Sequence, residues 1–312
     1  MDEIFSFQTT STIEIRMGDC LDLIEDQENV YDAIVMDPPY ETALHGKSWD
    51  QTGISFSPLL WRKLFKVLKP GGFIAAFAAM RLYHRLATAA EDVGFNLYPF
   101  MTWKFDGGLC KPINVSELFD RDNVAHREII GYKNGSGYTK ANVDHGAQNR
   151  STTRFPIYAR HASQEAQDWR GHYYGVNALK PCMEPILLAQ KPVVTKRAID
   201  NIRLHGTGSL NLGALQEIHG CWPTTILEHK KAKKSDHGSN HVSVKPVGLL
   251  EDLCLLLCPA NGKILDPFAG TGTTGIAARK RGFDCVLIEK DADMEAVLNR
   301  RVFDTTGRYS SA

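Results

Sequence analysis

Four consecutive residues, Asp37-Pro38-Pro39-Tyr40, carry chemistry that the rest of the chain must position. A carboxylate, a carbonyl that no helix claims and an aromatic ring together suit one task, gripping a planar base that bears an amino group. Asp37 and the Pro38 carbonyl can accept the two amino hydrogens, and Tyr40 can stack on the ring. The plainer reading is a proline-terminated strand entering a turn. A second constellation, Gly270, Gly272 and Gly275, fits G-x-G-x-x-G. Glycines at that spacing allow a tight turn and close approach of backbone to a ligand. Glu289 follows at about the distance where an acidic residue takes ribose hydroxyls. This half alone marks a nucleoside-cofactor site, and a dinucleotide dehydrogenase would look similar. Asp37-Pro38-Pro39-Tyr40 discriminates: a dehydrogenase has no use for a grip on a base amine, whereas methyl transfer to an amino group needs both halves.

The elements around these residues follow from their patterns. Ala33-Ile34-Val35-Met36, opened by Asp32, reads as a buried parallel strand. It must stop at the prolines, which lack the N–H that a strand ladder needs. In open α/β sheets ligands bind outside the carboxyl ends of strands. Residues 12–17 alternate as another strand, and Asp19 sits at its tip before a helix starting at Cys20-Leu21. Asp19 there either caps the helix or accepts from a ligand amine. Residues 41–57, with Trp49, form a polar loop long enough to be a functional lid. A helix over 58–69, stopped by Pro70-Gly71-Gly72, precedes a strand over 73–79, a helix over 82–93 and a strand over 97–105. This β-α-β-α-β order predicts a mostly parallel sheet covered by helices. Core character returns with a helix over 247–257, a strand over 263–266, a helix over 276–281 and a strand over 285–288 that runs into Glu289.

Between the two core stretches the periodicity is lost. Residues 106–180 interleave Arg150, Arg154, Arg160 and Arg170 with Phe155, Tyr158, His161, Trp169, His172, Tyr173 and Tyr174. That mixture suits nucleic-acid contact and equally an ordinary irregular surface. Residues 184–191 read as one more core strand. Residues 192–240 again look irregular, with Lys230, Lys231, Lys233 and Lys234 as either a solvated face or a phosphate-binding patch. The expected division is 1–105, 106–240 and 241–312.

Bulk properties narrow the class. A chain of 312 residues with 36 basic and 36 acidic side chains has zero formal charge, so no global field draws it to nucleic acid and any such binding must be local. Its seven cysteines form no C-x-x-C pair, so no metal site is expected, and the odd count without a framework points to a reducing compartment. Cys254 and Cys258, four apart in an apolar run, read as core. The N-terminus lacks the pattern of a signal peptide, and no apolar stretch spans a bilayer, so membrane contact is not expected.

Asp37-Pro38-Pro39-Tyr40 together with Asp266-Pro267-Phe268-Ala269-Gly270-Thr271-Gly272 resembles the S-adenosylmethionine-dependent DNA amino-methyltransferases. The catalytic motif precedes the cofactor motif, an order that resembles the beta class of these enzymes. Gly18-Asp19-Cys20-Leu21, Leu68-Lys69-Pro70-Gly71-Gly72, Glu184-Pro185-Ile186-Leu187-Leu188 and His241-Val242-Ser243-Val244-Lys245-Pro246 add matches. The resemblance implies a Rossmann-like, circularly permuted α/β sheet with irregular target-recognition insertions. It implies S-adenosyl-L-methionine as cofactor and double-stranded DNA as partner.

Roles follow for the matching positions. Phe268, Gly270 and Gly272 would line the methionine and sugar of the cofactor, Glu289 would hold its ribose, Asp19 would approach its adenine or amino-acid end, and Lys245 would sit near its carboxylate. Cys20, Asp266 and Thr273 complete the cofactor set by their places in the same motifs. Asp37, Pro38, Pro39 and Tyr40 would act on a base flipped from the duplex. No cysteine follows a proline near this motif, which argues against carbon-5 methylation of cytosine. Asp in the first motif position resembles the adenine-N6 enzymes, with cytosine N4 as the alternative. An RNA or protein-glutamine methyltransferase, and a DNA-binding module that has lost activity, remain further alternatives. A cognate restriction enzyme, a homodimer and a cytoplasmic setting in a prokaryote or phage complete the expectations.

Overall fold

The computed structural model describes residues 11–42, 48–108, 110–122, 128–134, 154–158, 163–233 and 244–303. In chain order the strands and helices are β1 (Ile13–Met17), α1 (Cys20–Leu23), β2 (Tyr31–Met36), α2 (Pro58–Val67), β3 (Leu68–Phe77), α3 (Tyr83–Glu91), β4 (Asn96–Leu97) and β5 (Met101–Lys104). Then come β6 (Ile113–Asn114), α4 (Val115–Asp122), β7 (Ile129–Asn134), β8 (Arg154–Tyr158), α5 (Gln164–Asp168) and β9 (Tyr173–Tyr174). The last group is β10 (Met183–Gln190), α6 (Ala198–His205), α7 (Leu212–His219), β11 (Ile226–Glu228), α8 (Val247–Leu257), β12 (Lys263–Asp266), α9 (Thr273–Arg281), β13 (Asp284–Glu289) and α10 (Glu295–Phe303).

The chain divides into two units, 1–106 with 182–312, and 107–181. In the first, the sheet runs β1-β13-β12-β2-β3-β10-β5-β11, with β4 beside β10. From β1 to β3 every neighbour is parallel, β10 is antiparallel to both β3 and β5, and β11 is parallel to β5. Alternation along the central strands explains the two-sided core. Ala33, Val35, Phe73, Ala75 and Phe77 face one apolar cluster with Leu249, Leu250 and Leu253 of α8. Ile34, Met36, Ile74 and Ala76 face the other, with Leu60, Trp61 and Leu64 of α2 and Leu86 of α3. Strands covered on both faces become continuous apolar runs, which is how β2 and β3 are written.

The pairing of β2 with β12 positions everything that follows. Ile34 lies opposite Leu265, so two strands more than 200 residues apart in sequence run side by side in one direction. The chain leaves β2 toward β3 on one side and β12 toward β13 on the other. This is a topological switch point, where open α/β sheets form their ligand crevice.

Two segments differ from the sequence reading. Pro70-Gly71-Gly72 does not separate helix from strand; it lies inside β3, which begins directly after α2. Tyr31 pairs with Leu68 and Ala33 with Phe73, so the three residues sit in a bulge. Gly71 has φ +84, and a Cβ there would lie 2.6 Å from Asn201 Nδ2. Asn201, buried on α6, donates to the Pro70 carbonyl at 2.8 Å. Residues 192–233, read as irregular, hold α6, α7 and the edge strand β11, all within the sheet unit. Each of these helices has eight residues and ends on a left-handed glycine, Gly206 and Gly220. Their periods are too brief to stand out, although the glycine stops are legible in retrospect.

The 107–181 unit contains two antiparallel ribbons, β6 with β9 and β7 with β8. Helices α4 and α5 are tied by Ser116, whose buried hydroxyl donates to the Ala166 carbonyl at 2.6 Å. Trp169, Tyr173 and Tyr174 are exposed. Arg150, Arg160 and His161 lie outside the described residues, as do Lys234 and His241-Val242-Ser243. Lys231 stacks its ammonium 4.1 Å from the Phe105 ring. Cys254 and Cys258 are both buried in the core. Among the described residues no helix is long and apolar enough to cross a membrane.

Candidate active site

At the tip of β2 the Asp37 carboxylate is split between two environments. Oδ2 accepts from Lys245 Nζ at 2.6 Å. Oδ1 is buried and has no hydrogen-bond partner among the described residues. Burial pushes the Asp37 carboxyl above its ordinary value, and the charge of Lys245 opposes that rise. Lys245 itself is only 7% exposed. Burial alone would lower it, but Asp37 and Glu184 outweigh burial and keep its ammonium charged. The resemblance places Lys245 at a cofactor carboxylate; here its ion-pair partners are Asp37 and, at 3.5 Å, Glu184.

Tyr40 and the residues after it are fixed from two directions. The Tyr40 hydroxyl donates to Glu184 Oε2 at 2.6 Å. The Pro39 carbonyl accepts from Ser55 Oγ at 2.5 Å. Glu41 has a left-handed φ of 56°, uncommon without a glycine. Asp50 holds that turn by accepting from the amides of Glu41 and Thr42 at 2.9 and 3.1 Å. Residues 43–47 of this loop lie outside the described residues, and so does the Trp49 side chain.

Beyond β12 the three motif glycines have different reasons to be glycine. A Cβ on Gly270, at φ +52, would meet nothing within 4 Å, so space opens beside it. A Cβ on Gly272 would lie 2.6 Å from Val302 and 2.8 Å from Leu298, both on α10. On Gly275 it would lie 2.5 Å from Leu287. Only Gly270 therefore leaves room for a ligand, while the other two let α9 pack closely. Asp266, buried at the strand end, accepts from the Phe268 amide at 3.0 Å. Burial pushes its carboxyl up to about 7, against a hydrogen bond from Thr274. Phe268 is half-buried against the α2 side of the core.

The opposite rim of the crevice comes from β13 and β1. Glu289 accepts from the amides of Gly270 and Asp291, each at 2.7 Å, and burial raises its carboxyl. The Gly18 amide donates to the Glu289 carbonyl at 2.7 Å, which joins the two strand tips. Asp19 caps α1 by accepting from the Leu21 amide at 2.9 Å and pairs with Lys290 at 2.8 Å. The Lys290 hydrogen bond, then that of Leu21, holds the Asp19 carboxyl below its ordinary value. Cys20 is buried, and burial pushes its thiol up to about 12, so it is an inert core side chain.

Three residues of this site escaped the sequence reading as functional side chains. Glu184 anchors Tyr40. Lys290 covers Asp19. Arg301, 2% exposed on α10, donates to the Thr271 carbonyl at 2.6 Å and to the hydroxyls of Thr271 and Thr273. It braces the glycine loop from beneath, and it occupies the Thr273 hydroxyl. Such contacts have no local signature in a sequence.

A mostly parallel sheet whose switch point carries a glycine loop on one strand and a carboxylate with an aromatic ring on the next fits an α/β enzyme of the nucleoside-cofactor kind. Residues 31–300 match the model of the DNA methylase family that covers N6 and N4 types, and the chain belongs to that family. Relatives include the type II methyltransferase M.HindIII of Haemophilus influenzae, 27% identical over 232 residues, which span 73% of this chain and 62% of that enzyme. The type II methyltransferase M.BglI of Bacillus subtilis is 26% identical over 313 residues, 91% of this chain and 84% of that one. Two solved structures share the fold. PvuII DNA methyltransferase, described as cytosine-N4-specific, aligns with a TM-score of 0.59 at 14% identity, covering 96% of this chain and 89% of that one. The M1.HpyAVI complex with SAM aligns with 0.52 at 16% identity, covering 93% and 100%.

Proposed function

We propose that this chain is a site-specific DNA methyltransferase that uses S-adenosylmethionine to methylate the exocyclic N6 of adenine in duplex DNA. The observation that carries the reading is Asp37 Oδ1, a buried acceptor with no partner among the described residues, beside the strand that bears the glycine loop. A buried polar atom left unpaired costs about 1–3 kcal/mol, and a ligand donor removes that cost. The residues also fit the cofactor, because Gly270 leaves open space next to Glu289. Gly270, Gly272 and Phe268 would line its sugar and methionine, with Glu289 and Asp19 at the rim. When bound, S-adenosylmethionine supplies an electrophilic methyl group on sulfonium.

The chain's own residues do the rest. Tyr40 stacks on a base turned out of the duplex, since a reacting base must leave the stack. Asp37 Oδ1 and the Pro38 carbonyl accept the two amine hydrogens. This turns the nitrogen lone pair away from the base ring and toward the cofactor side. Holding the reacting atoms near contact supplies several kcal/mol of the barrier reduction, on the order of 7–11 kcal/mol at best. The 107–181 unit, with exposed Trp169, Tyr173 and Tyr174, is the candidate for target recognition. Phosphate contacts make such binding salt-dependent. A cognate restriction enzyme fits the type II enzymes named among its relatives.

Incubation with methyl-labelled S-adenosylmethionine and unmethylated duplex DNA, followed by digestion to nucleosides, tests this. N6-methyladenine is expected. N4-methylcytosine would correct the base and keep the chemistry. No transfer to DNA by a folded, cofactor-binding protein would overturn the proposal.

A further inference from the structure

Glu184 lies outside the Asp-Pro-Pro-Tyr motif, yet two residues of the site meet on it. Its Oε2 accepts the Tyr40 hydroxyl hydrogen at 2.6 Å and stands 3.5 Å from Lys245 Nζ. Lys245 reaches on to Asp37 Oδ2 at 2.6 Å. A continuous path, Tyr40–Glu184–Lys245–Asp37, therefore joins the stacking ring to the hydrogen-bond acceptor. The path is built on rigid parts. Glu184 belongs to β10, opposite Trp103 of β5, and the same strand pairs with β3 from Ile186 to Gln190. Lys245 is sheathed by rings, with Phe77 at 4.8 Å and Tyr40 at 5.2 Å from its ammonium. A buried lysine placed between two carboxylates cannot choose another partner without leaving one of them uncompensated.

We infer that Glu184 is a positioning residue for methyl transfer. It fixes the tilt of Tyr40 through the hydroxyl, and it shares Lys245 with Asp37 so that one oxygen of Asp37 is held and the other is free for the target amine. This rests on the reading given under Proposed function. The charge count supports it. When both are ionised, the two carboxylates of this path and its one ammonium carry one negative charge in excess. That sign favours the positive charge the amine nitrogen carries once its bond to the methyl carbon has formed, as the sulfonium sulfur–methyl bond breaks to leave a neutral thioether, and before it sheds a proton to solvent. Losing Glu184 removes that excess, releases the Tyr40 ring and leaves Lys245 to Asp37 alone.

Glu184→Gln keeps the shape and an acceptor for Tyr40 but removes the charge; Glu184→Leu removes both. The measurements are single-turnover methyl transfer, the dissociation constants for S-adenosylmethionine and DNA, and the melting temperature. A fourth is the cofactor-free fluorescence of duplex DNA with 2-aminopurine at the target base. Transfer should slow by about tenfold in Glu184→Gln and by about a hundredfold in Glu184→Leu, the scale expected for misplaced reacting groups. Both dissociation constants should stay within about twofold, since the groups lost act only on orientation. The 2-aminopurine signal should be brighter in Glu184→Leu, because the ring that stacks on it is no longer held. Wild-type rates in Glu184→Gln would overturn the inference. So would a loss of rate matched by an equal loss of cofactor affinity, which would mark a purely structural role. Should Glu184→Leu fail to fold, Glu184→Gln decides alone. Absence of DNA methylation by the wild-type chain would overturn both this inference and the function on which it rests.

Discussion

Lys245 donates to Asp37 at 2.6 Å across 208 residues of sequence, and the pair lies at the carboxyl end of the sheet with the lysine buried and the carboxylate partly exposed. The contact ties the stretch before α8 to the tip of β2. It also sets how the Asp37 carboxylate titrates. Glu184, Tyr40 and Asp266 are the other ionisable groups that act on this pair.

Lys245→Met should therefore move the pH dependence of transfer. Asp37 accepts the amine hydrogens most strongly when ionised, so activity falls as pH drops through its folded value. Lys245 lowers that value, so removing it moves the acid limb of the rate profile to higher pH. Breaking this partly buried pair also lowers stability, by less than the roughly 3–5 kcal/mol of a fully buried one. A rate profile across pH 5–9 and a thermal melt check both, and an unmoved acid limb would mean that Lys245 does not govern Asp37.

The glycines of the loop after β12, proposed to hold the cofactor, should separate binding from folding. Gly270→Ala adds a methyl group to open space, with only the roughly 1–2 kcal/mol strain of a left-handed residue. It should keep the fold and lose affinity for S-adenosylmethionine. Gly272→Ala drives the same methyl into Val302 and Leu298 and should lower the melting temperature most. Calorimetric titration and a thermal melt on each variant provide the comparison.

Asp266 supplies a stability test independent of activity. Burial raises its carboxyl from 3.8 to about 7. The folded protein then holds a proton that the unfolded chain releases above about pH 4. Stability from this group is thus full below that pH and is lost as pH rises to about 7. Asp266→Asn, which can still accept from the Phe268 amide, should gain stability relative to the wild type as pH rises through that window. Denaturant unfolding at several pH values would show it.

The parts of this site that could be read from the sequence are those written in consecutive residues. Asp37-Pro38-Pro39-Tyr40 ends a strand because proline must, and Gly270, Gly272 and Gly275 mark a strand-to-helix turn because the first two take a positive φ and the last two leave no room for a Cβ. The sheet's parallel core was legible for the same reason, in the unbroken apolar runs of β2 and β3. What was hidden depends on approach through space. Nothing near Arg301 says that it lies under Thr271, and nothing near Glu184 says that it receives Tyr40. Helices α6 and α7 were missed because eight residues hold barely two turns of pattern. Pro70-Gly71-Gly72 misled because a strand bulge uses the same residues as a helix stop.

Asp37→Ala tests the account most directly, because it removes the proposed amine acceptor and leaves the glycine loop intact. Glu184 remains 3.5 Å from Lys245 to balance its charge, so the fold should survive. With labelled S-adenosylmethionine and duplex DNA, the expected result is a fall in methyl transfer of more than about a hundredfold, with the cofactor dissociation constant within about twofold of wild type. Transfer at the wild-type rate would contradict the assignment of the β2 tip as the place where the base is methylated.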